Sequence, residues 1–239
     1  MAFGHAEAVP GAVINVGVDE RVAFIRRTYT HLAGAIVAFV ALEYVLLSME
    51  LTRAFAYKLL TTGRGAWIGV LLAFMVVGWV ADRWARSNTS PAMQYMGLGL
   101  YVIAEAIIFL PLLLLATAYS DPSVLPTAGI LTLVVFTGLT MTVFISGKDF
   151  SFMRGALMVG AFAALGIIVV GAIFGFKLGL IFSGAMVILA GGYVLYYTSN
   201  VLHHYRTDQH VSASLALFAA IALLFWYLLR IVISLAGRD

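Results

Sequence analysis

The chain of 239 residues has no cysteine, five prolines and few charges: 14 basic and 11 acidic side chains, 10% of the total. Without cysteine there is no disulfide, no thiol nucleophile and no cysteinyl metal site. Ordinary soluble domains carry about 25% charged residues. So few ionised groups cannot cover a water-facing surface, which excludes soluble globular and disordered classes. Basic residues are dispersed, so the net charge of +3 does not indicate nucleic acid. Met1–Glu20 has no basic residue and no apolar run before a small-residue cleavage site, which argues against a cleaved secretory leader.

What is abundant is apolar length. Hydrophobic residues make up 63% of the chain and mean hydropathy is +1.03. A helix rising about 1.5 Å per residue needs roughly 20 apolar residues to cross the hydrocarbon layer. Stretches at about 29–49, 66–84, 96–119, 126–146, 155–174, 178–202 and 212–235 meet that requirement, and none alternates with period two as barrel strands do. The expectation is an all-α integral membrane protein, a seven-helix bundle over 23–239 preceded by a polar tail over 1–22. Connections are short, Asp121-Pro122 and Ser90-Pro91 mark loops, and Pro111 should kink or break span three.

Lysines and arginines set orientation. With the N-terminus cytoplasmic, that side holds Arg21, Arg26, Arg27, Arg83, Arg86, Lys148, Arg154 and Arg206. The other side holds Arg53, Lys58, Arg64, Lys177 and Arg238. Eight against five favours the N-terminus in. Gly171, Gly175 and Gly179 have Gly-x-x-x-Gly spacing, and Gly97, Gly99, Gly191 and Gly192 add notches, features expected to serve packing within the bundle.

Ionisable groups inside the hydrocarbon are costly and each needs a partner or a role. Glu43, Glu105 and Arg230 are the candidates. Helical rise from the span ends places Glu105 about 14 Å deep, Glu43 about 21 Å and Arg230 about 27 Å. Glu43 and Arg230 are therefore expected to pair. Glu105 is expected either as a titratable group receiving a hydrogen bond from Tyr196 or Tyr197, or as a protonated side chain held by a neighbouring helix. His203, His204 and His210 have too few acids nearby for a metal site and suit a headgroup-facing or pH-sensing loop. Trp67, Trp79, Trp84 and Trp226 are read as interfacial anchors. Asp82 and Arg83 are boundary charges, and His31 an interfacial or hydrogen-bonded helix residue. No His-Glu-x-x-His, Gly-x-Ser-x-Gly or P-loop occurs, so neither catalysis nor a cofactor is expected.

Phe24-Ile25-Arg26-Arg27-Thr28-Tyr29, Leu100-Tyr101, Leu110-Pro111-Leu112, Lys148-Asp149-Phe150-Ser151-Phe152 and Leu195-Tyr196-Tyr197-Thr198-Ser199-Asn200 follow one another in a fixed order. Together with the ending Ala236-Gly237-Arg238-Asp239, they resemble the Bax inhibitor family and its bacterial YccA-like branch. The resemblance implies a bundle with its last helix near the centre. It also implies roles from calcium leak and stress modulation to association with a membrane-anchored AAA protease. Family members that leak calcium carry one aspartate in a Leu-Tyr-Asp pattern ending helix six and another in helix seven. The matching positions here are Tyr197 and Ala220. Without two acids there is no like-charge coupling and no paired oxygen ligand for Ca²⁺, so that mechanism does not carry over.

Three functions follow as expectations. One is a regulatory or interaction protein of the bacterial inner membrane, gripped by a quality-control protease at its N-terminal tail. The others are a pH-sensitive cation leak using Glu105, and an accessory subunit of a larger membrane complex.

Overall fold

The computed structural model describes residues 12–61, 64–87, 90–118 and 120–237. Residues 1–11, the side chain of Trp67, and Arg238-Asp239 lie outside the described ones. The described helices are α1 (Val18–Ser48), α2 (Glu50–Thr61), α3 (Arg64–Ala85), α4 (Pro91–Ala118), α5 (Val124–Ser146), α6 (Arg154–Phe174), α7 (Leu180–His203) and α8 (His210–Ala236). Seven are long and apolar enough to span a bilayer, all but α2. An odd number of spans puts the start of α1 and the end of α8 on opposite faces. The face from which α1 enters is here the N-side.

The last helix is the axis of the bundle. α8 packs against α1, α3, α4, α5 and α7. It and α4 are the most deeply buried spans, while α6 lies at the edge against α3 and α7. Small residues let α8 sit there: Ser212, Ala213, Ser214, Ala216, Ala220 and Ala222 are buried. The Ser214 hydroxyl donates to the Thr28 carbonyl of α1 at 2.8 Å, a polar cross-link of the kind that holds helices together in lipid. Farther along, Phe109 of α4 meets Phe39 of α1 edge-on at 5.2 Å, and Trp226 of α8 perpendicularly at 4.9 Å. Trp226 is therefore a partly buried residue packed against the core, a departure from its reading as an interfacial anchor. Trp79 is 65% exposed with Arg83 over its ring.

Four local features depart from expectation. The stretch after span one is a helix, α2, because Ala56 packs on Leu110 and Leu114 while Leu51, Phe55 and Tyr57 face outward. Twelve residues cannot cross a bilayer, and this amphipathic pattern suits a helix lying in the interface. The helix α4 runs unbroken through buried Pro111, as spanning helices can when neighbours pack around the freed backbone. Gly175 takes φ 83° and ends α6, and Gly179 caps α7, so their spacing serves a turn and not a helix contact. Of the glycines in span three only Gly97 is a contact: a Cβ there would lie 2.5 Å from both the Ala81 carbonyl oxygen and the Ala85 nitrogen. A Cβ on Gly99 would meet nothing within 4 Å.

At the N-side, α1 begins at Val18, inside the stretch assigned to the polar tail. Its 31 residues make it about 46 Å long, more than the roughly 30 Å of hydrocarbon. The residues before it are docked. Val13 is buried and its N–H donates to the Tyr205 carbonyl at 2.9 Å, with Ala12 bridging Arg206. Arg21 donates to the Leu202 carbonyl, and Thr207 to Glu20. Residues 12–21 thus strap the α7–α8 connection.

Candidate functional site

Glu105 is 6% exposed on the most buried face of α4. Its partner is the phenol hydroxyl of Tyr101, one turn earlier on the same helix. Tyr101 in turn meets Phe218 of α8 edge-on at 6.2 Å, and Phe109 stacks with Phe225 at 5.7 Å. These two contacts bracket Glu105 near Ala222, within about 3 Å along the axis of Ala220, where the family's helix-seven acid would lie. Among the described residues, the α1–α4 groove and the recess beside Arg27 are both lined without Glu105.

Tyr196 and Tyr197 are not the partners of Glu105. Tyr197 stacks on Tyr193 at 5.7 Å and meets Tyr196 edge-on at 5.2 Å, a tyrosine cluster at the first dyad position. It lies within electrostatic reach of the Asp82–Arg86 pair at the end of α3, joined at 2.8 Å. Tyr101 was legible as a resemblance residue; its role beside Glu105 rests on i, i+4 helical spacing.

Glu43 and Arg230 do not pair. Parallel α1 and α8 are set in register by His31 against His210 at 4.9 Å and Phe39 against Phe218 at 5.9 Å. That register levels Glu43 with Ala222, and Arg230 lies eight residues, about 12 Å, farther along. Depths counted from the expected span starts, 29 and 212, differ by only about 6 Å, because those starts are themselves four residues out of register: position 29 is level with 208. Arg230 instead donates to the Leu178 carbonyl of the α6–α7 connection at 3.1 Å and lies 5.8 Å from the Tyr227 ring. Glu43 is 4% exposed, and neither carboxyl oxygen has a hydrogen-bond partner.

The N-side carries a polar junction. The Phe150 N–H donates to Ser199 Oγ at 2.8 Å, and that hydroxyl donates to Asp149 at 3.2 Å. His204 Nε2 lies 2.9 Å from the second Asp149 oxygen, and the Ser151 N–H caps the first. Partial burial raises the Asp149 pKa, but the Ser151 backbone N–H and His204 outweigh it and hold it below the ordinary carboxylate value. The histidines do not converge: His203 bonds the Ser199 carbonyl, His204 takes Asp149 and His210 faces His31. Among the described residues no three potential ligands gather for a metal. His31 is bonded through its ring to the Arg27 carbonyl and the Tyr95 hydroxyl.

The junction therefore joins Lys148–Phe152 to Leu195–Asn200, two of the stretches that carry the family resemblance. The family model described as "Inhibitor of apoptosis-promoting Bax1" matches residues 21–237. The chain belongs to the Bax inhibitor family. Among its relatives, Protein LIFEGUARD 4 of Arabidopsis thaliana is 28% identical, over 87% of this chain and 83% of its own length. An uncharacterized protein of Pseudomonas aeruginosa is 29% identical over 90% of each. The Golgi anti-apoptotic protein of vaccinia virus is 27% identical over 96% of this chain and 91% of its own. As a Bax inhibitor family member the chain is a multi-pass membrane protein.

Proposed function

We propose that this chain is a non-enzymatic regulatory or interaction protein of the bacterial inner membrane, N-terminus cytoplasmic, that works in membrane-protein quality control beside a membrane-anchored AAA protease. The observation that carries the reading is the state of Glu105. It is packed against α8 and engaged by its own helix's Tyr101, outside the lining of both described recesses, with no second acid at Tyr197 or Ala220. A titratable group meant to pass cations needs access to water, and the packing around this one favours a closed bundle. The lopsided distribution of arginines and the Pseudomonas relative support the bacterial location and the orientation. Residues 12–21 are held on the α7–α8 connection, so a protease that pulls on the N-terminal tail strips them from it before it reaches the body of α1. Solubilisation of bacterial membranes in mild detergent with the full chain as bait tests the proposal. Co-purification of the AAA protease is expected, and repeated recovery without any protease subunit overturns it.

A second reading is a proton-sensitive cation leak, and one observation favours it: the carboxyl of Glu43 is buried without a partner, the kind of intramembrane group that is retained for function. Glu105 and Glu43 would then be its titrating groups. An accessory role in a larger assembly is the third reading, supported by the exposed apolar faces of α5 and α6.

A further inference from the structure

Between α1 and α4, a groove of about 470 Å³ opens sideways from the bundle. Gly34, Ala38 and Leu42 form one wall, and Gly99, Val102 and Ile103 the other. It exists because small residues stand where two parallel helices would otherwise interlock. A Cβ built on Gly34 or Gly99 meets nothing within 4 Å. From His31 to Leu42 it runs about 17 Å along the helix axis. That is close to half of the roughly 30 Å hydrocarbon layer, the depth of one leaflet.

The two ends of the groove differ. The membrane-centre end is wholly apolar. The N-side end is polar, where His31 is bonded to the Tyr95 hydroxyl at 3.0 Å across the mouth beside Thr30. Exposed Arg26 and Arg27 precede this mouth by about one turn, and Arg27 stands on the groove face of α1, four residues before His31. Arg27 also lines a separate recess on the aqueous side together with the acids Glu20 and Asp208. Glu20 is already engaged by Thr207 and Asp208 by Arg206.

We infer that the α1–α4 groove is a binding site for one anionic phospholipid of the N-side leaflet, its acyl chain lying between Gly34 and Gly99 and its phosphate meeting Arg26 and Arg27 at the His31–Tyr95 mouth. The apolar length matches one leaflet, and the charge at the mouth is opposite to that of the headgroup. A second copy of the chain would have to insert a helix flank into the same slot, and nothing at the mouth calls for one.

Native mass spectrometry of the full chain in mild detergent, with phosphatidylglycerol or phosphatidylcholine added, tests the site. The wild type is expected to hold one phosphatidylglycerol per chain, preferred over phosphatidylcholine by about tenfold or more, as two arginines beside an anionic headgroup imply. Gly34→Leu with Gly99→Leu fills the slot and should lose both lipids. Arg26→Gln with Arg27→Gln should keep acyl binding and lose the preference. Equal phosphatidylglycerol retention by the filled variant overturns the site, as does a wild-type dimer that the filled variant dissociates. Should the filled variant not fold, wild-type protein labelled with a phosphatidylglycerol carrying a photoreactive acyl chain decides. Adducts are expected on α1 and α4, and adducts confined to α5 or α6 overturn the site.

Discussion

Asp149 and His204, fifty-five positions apart, lie 2.9 Å from each other across the N-side of the bundle. Their contact is one part of a junction that pins the α5–α6 connection to the end of α7. The parts differ in worth. The Asp149–His204 pair is about two-fifths exposed on each side, where water and salt screen it. Ser199 is buried and serves two bonds at once.

Ser199→Ala is therefore expected to cost about 1–3 kcal/mol, because it strands the Phe150 N–H. His204→Ala should cost less than about 1 kcal/mol. Thermal unfolding in detergent checks the order, and an equal or larger loss for His204→Ala would contradict it.

The junction also sets an acid limit. Partial burial is the largest single influence on the Asp149 pKa and raises it, but the bonds from Ser151 and His204 together outweigh it and hold the folded value below the ordinary one. The stabilisation that Asp149 supplies is complete above the unfolded value of about 3.9 and disappears as pH falls through the lower folded value. The melting-temperature gap between wild type and Asp149→Asn should be steady above about pH 5 and close below about pH 4. A gap that persists unchanged to lower pH is the contrary result.

Glu43 is expected to weaken the fold that holds it. A buried carboxyl with no partner costs more than an apolar side chain of similar size. Glu43→Leu should raise stability by about 1–3 kcal/mol in thermal unfolding. A lower melting temperature for this variant would mean that the carboxyl has a stabilising role.

The close approach of α3 and α4 depends on one hydrogen atom. Gly97→Ala drives a methyl into the backbone of Ala81 and Ala85, neither of which can yield as a side chain tip would. About 3 kcal/mol is expected to be lost. Gly99→Ala, two residues on, should be neutral or gain up to about 1 kcal/mol from reduced chain freedom. Similar losses for both would contradict the packing.

The spans and the class of fold were legible because continuous apolar length leaves a chain few alternatives in water. The family was legible in short stretches such as Lys148–Phe152 and Leu195–Asn200, and the structure shows why they go together: they touch. Side-chain partnership was harder to read. Glu43 and Arg230 come close in a depth count from the apolar span starts, 29 and 212, but hydropathy does not set the register of two helices, and these starts lie four residues, about 6 Å, out of step in the bundle. Trp226 looked like an anchor because tryptophan favours interfaces, but its aromatic neighbours Phe109 and Phe225 come from spans far apart in sequence or one residue away. Tyr101 was hidden beside Glu105 by its ordinariness, since any tyrosine one turn away has the same reach. Docking of residues 12–21 had no periodic signal at all.

The account depends most on the bundle being closed around Glu105. Its direct test is calcium-dye fluorescence in liposomes reconstituted with the full chain, between about pH 6 and 8, the range around neutrality that a pH-sensitive leak would respond to. No flux above protein-free vesicles at any pH is predicted, for wild type and Glu105→Gln alike. A pH-dependent calcium current in the wild type that Glu105→Gln abolishes would contradict it and establish the leak in its place.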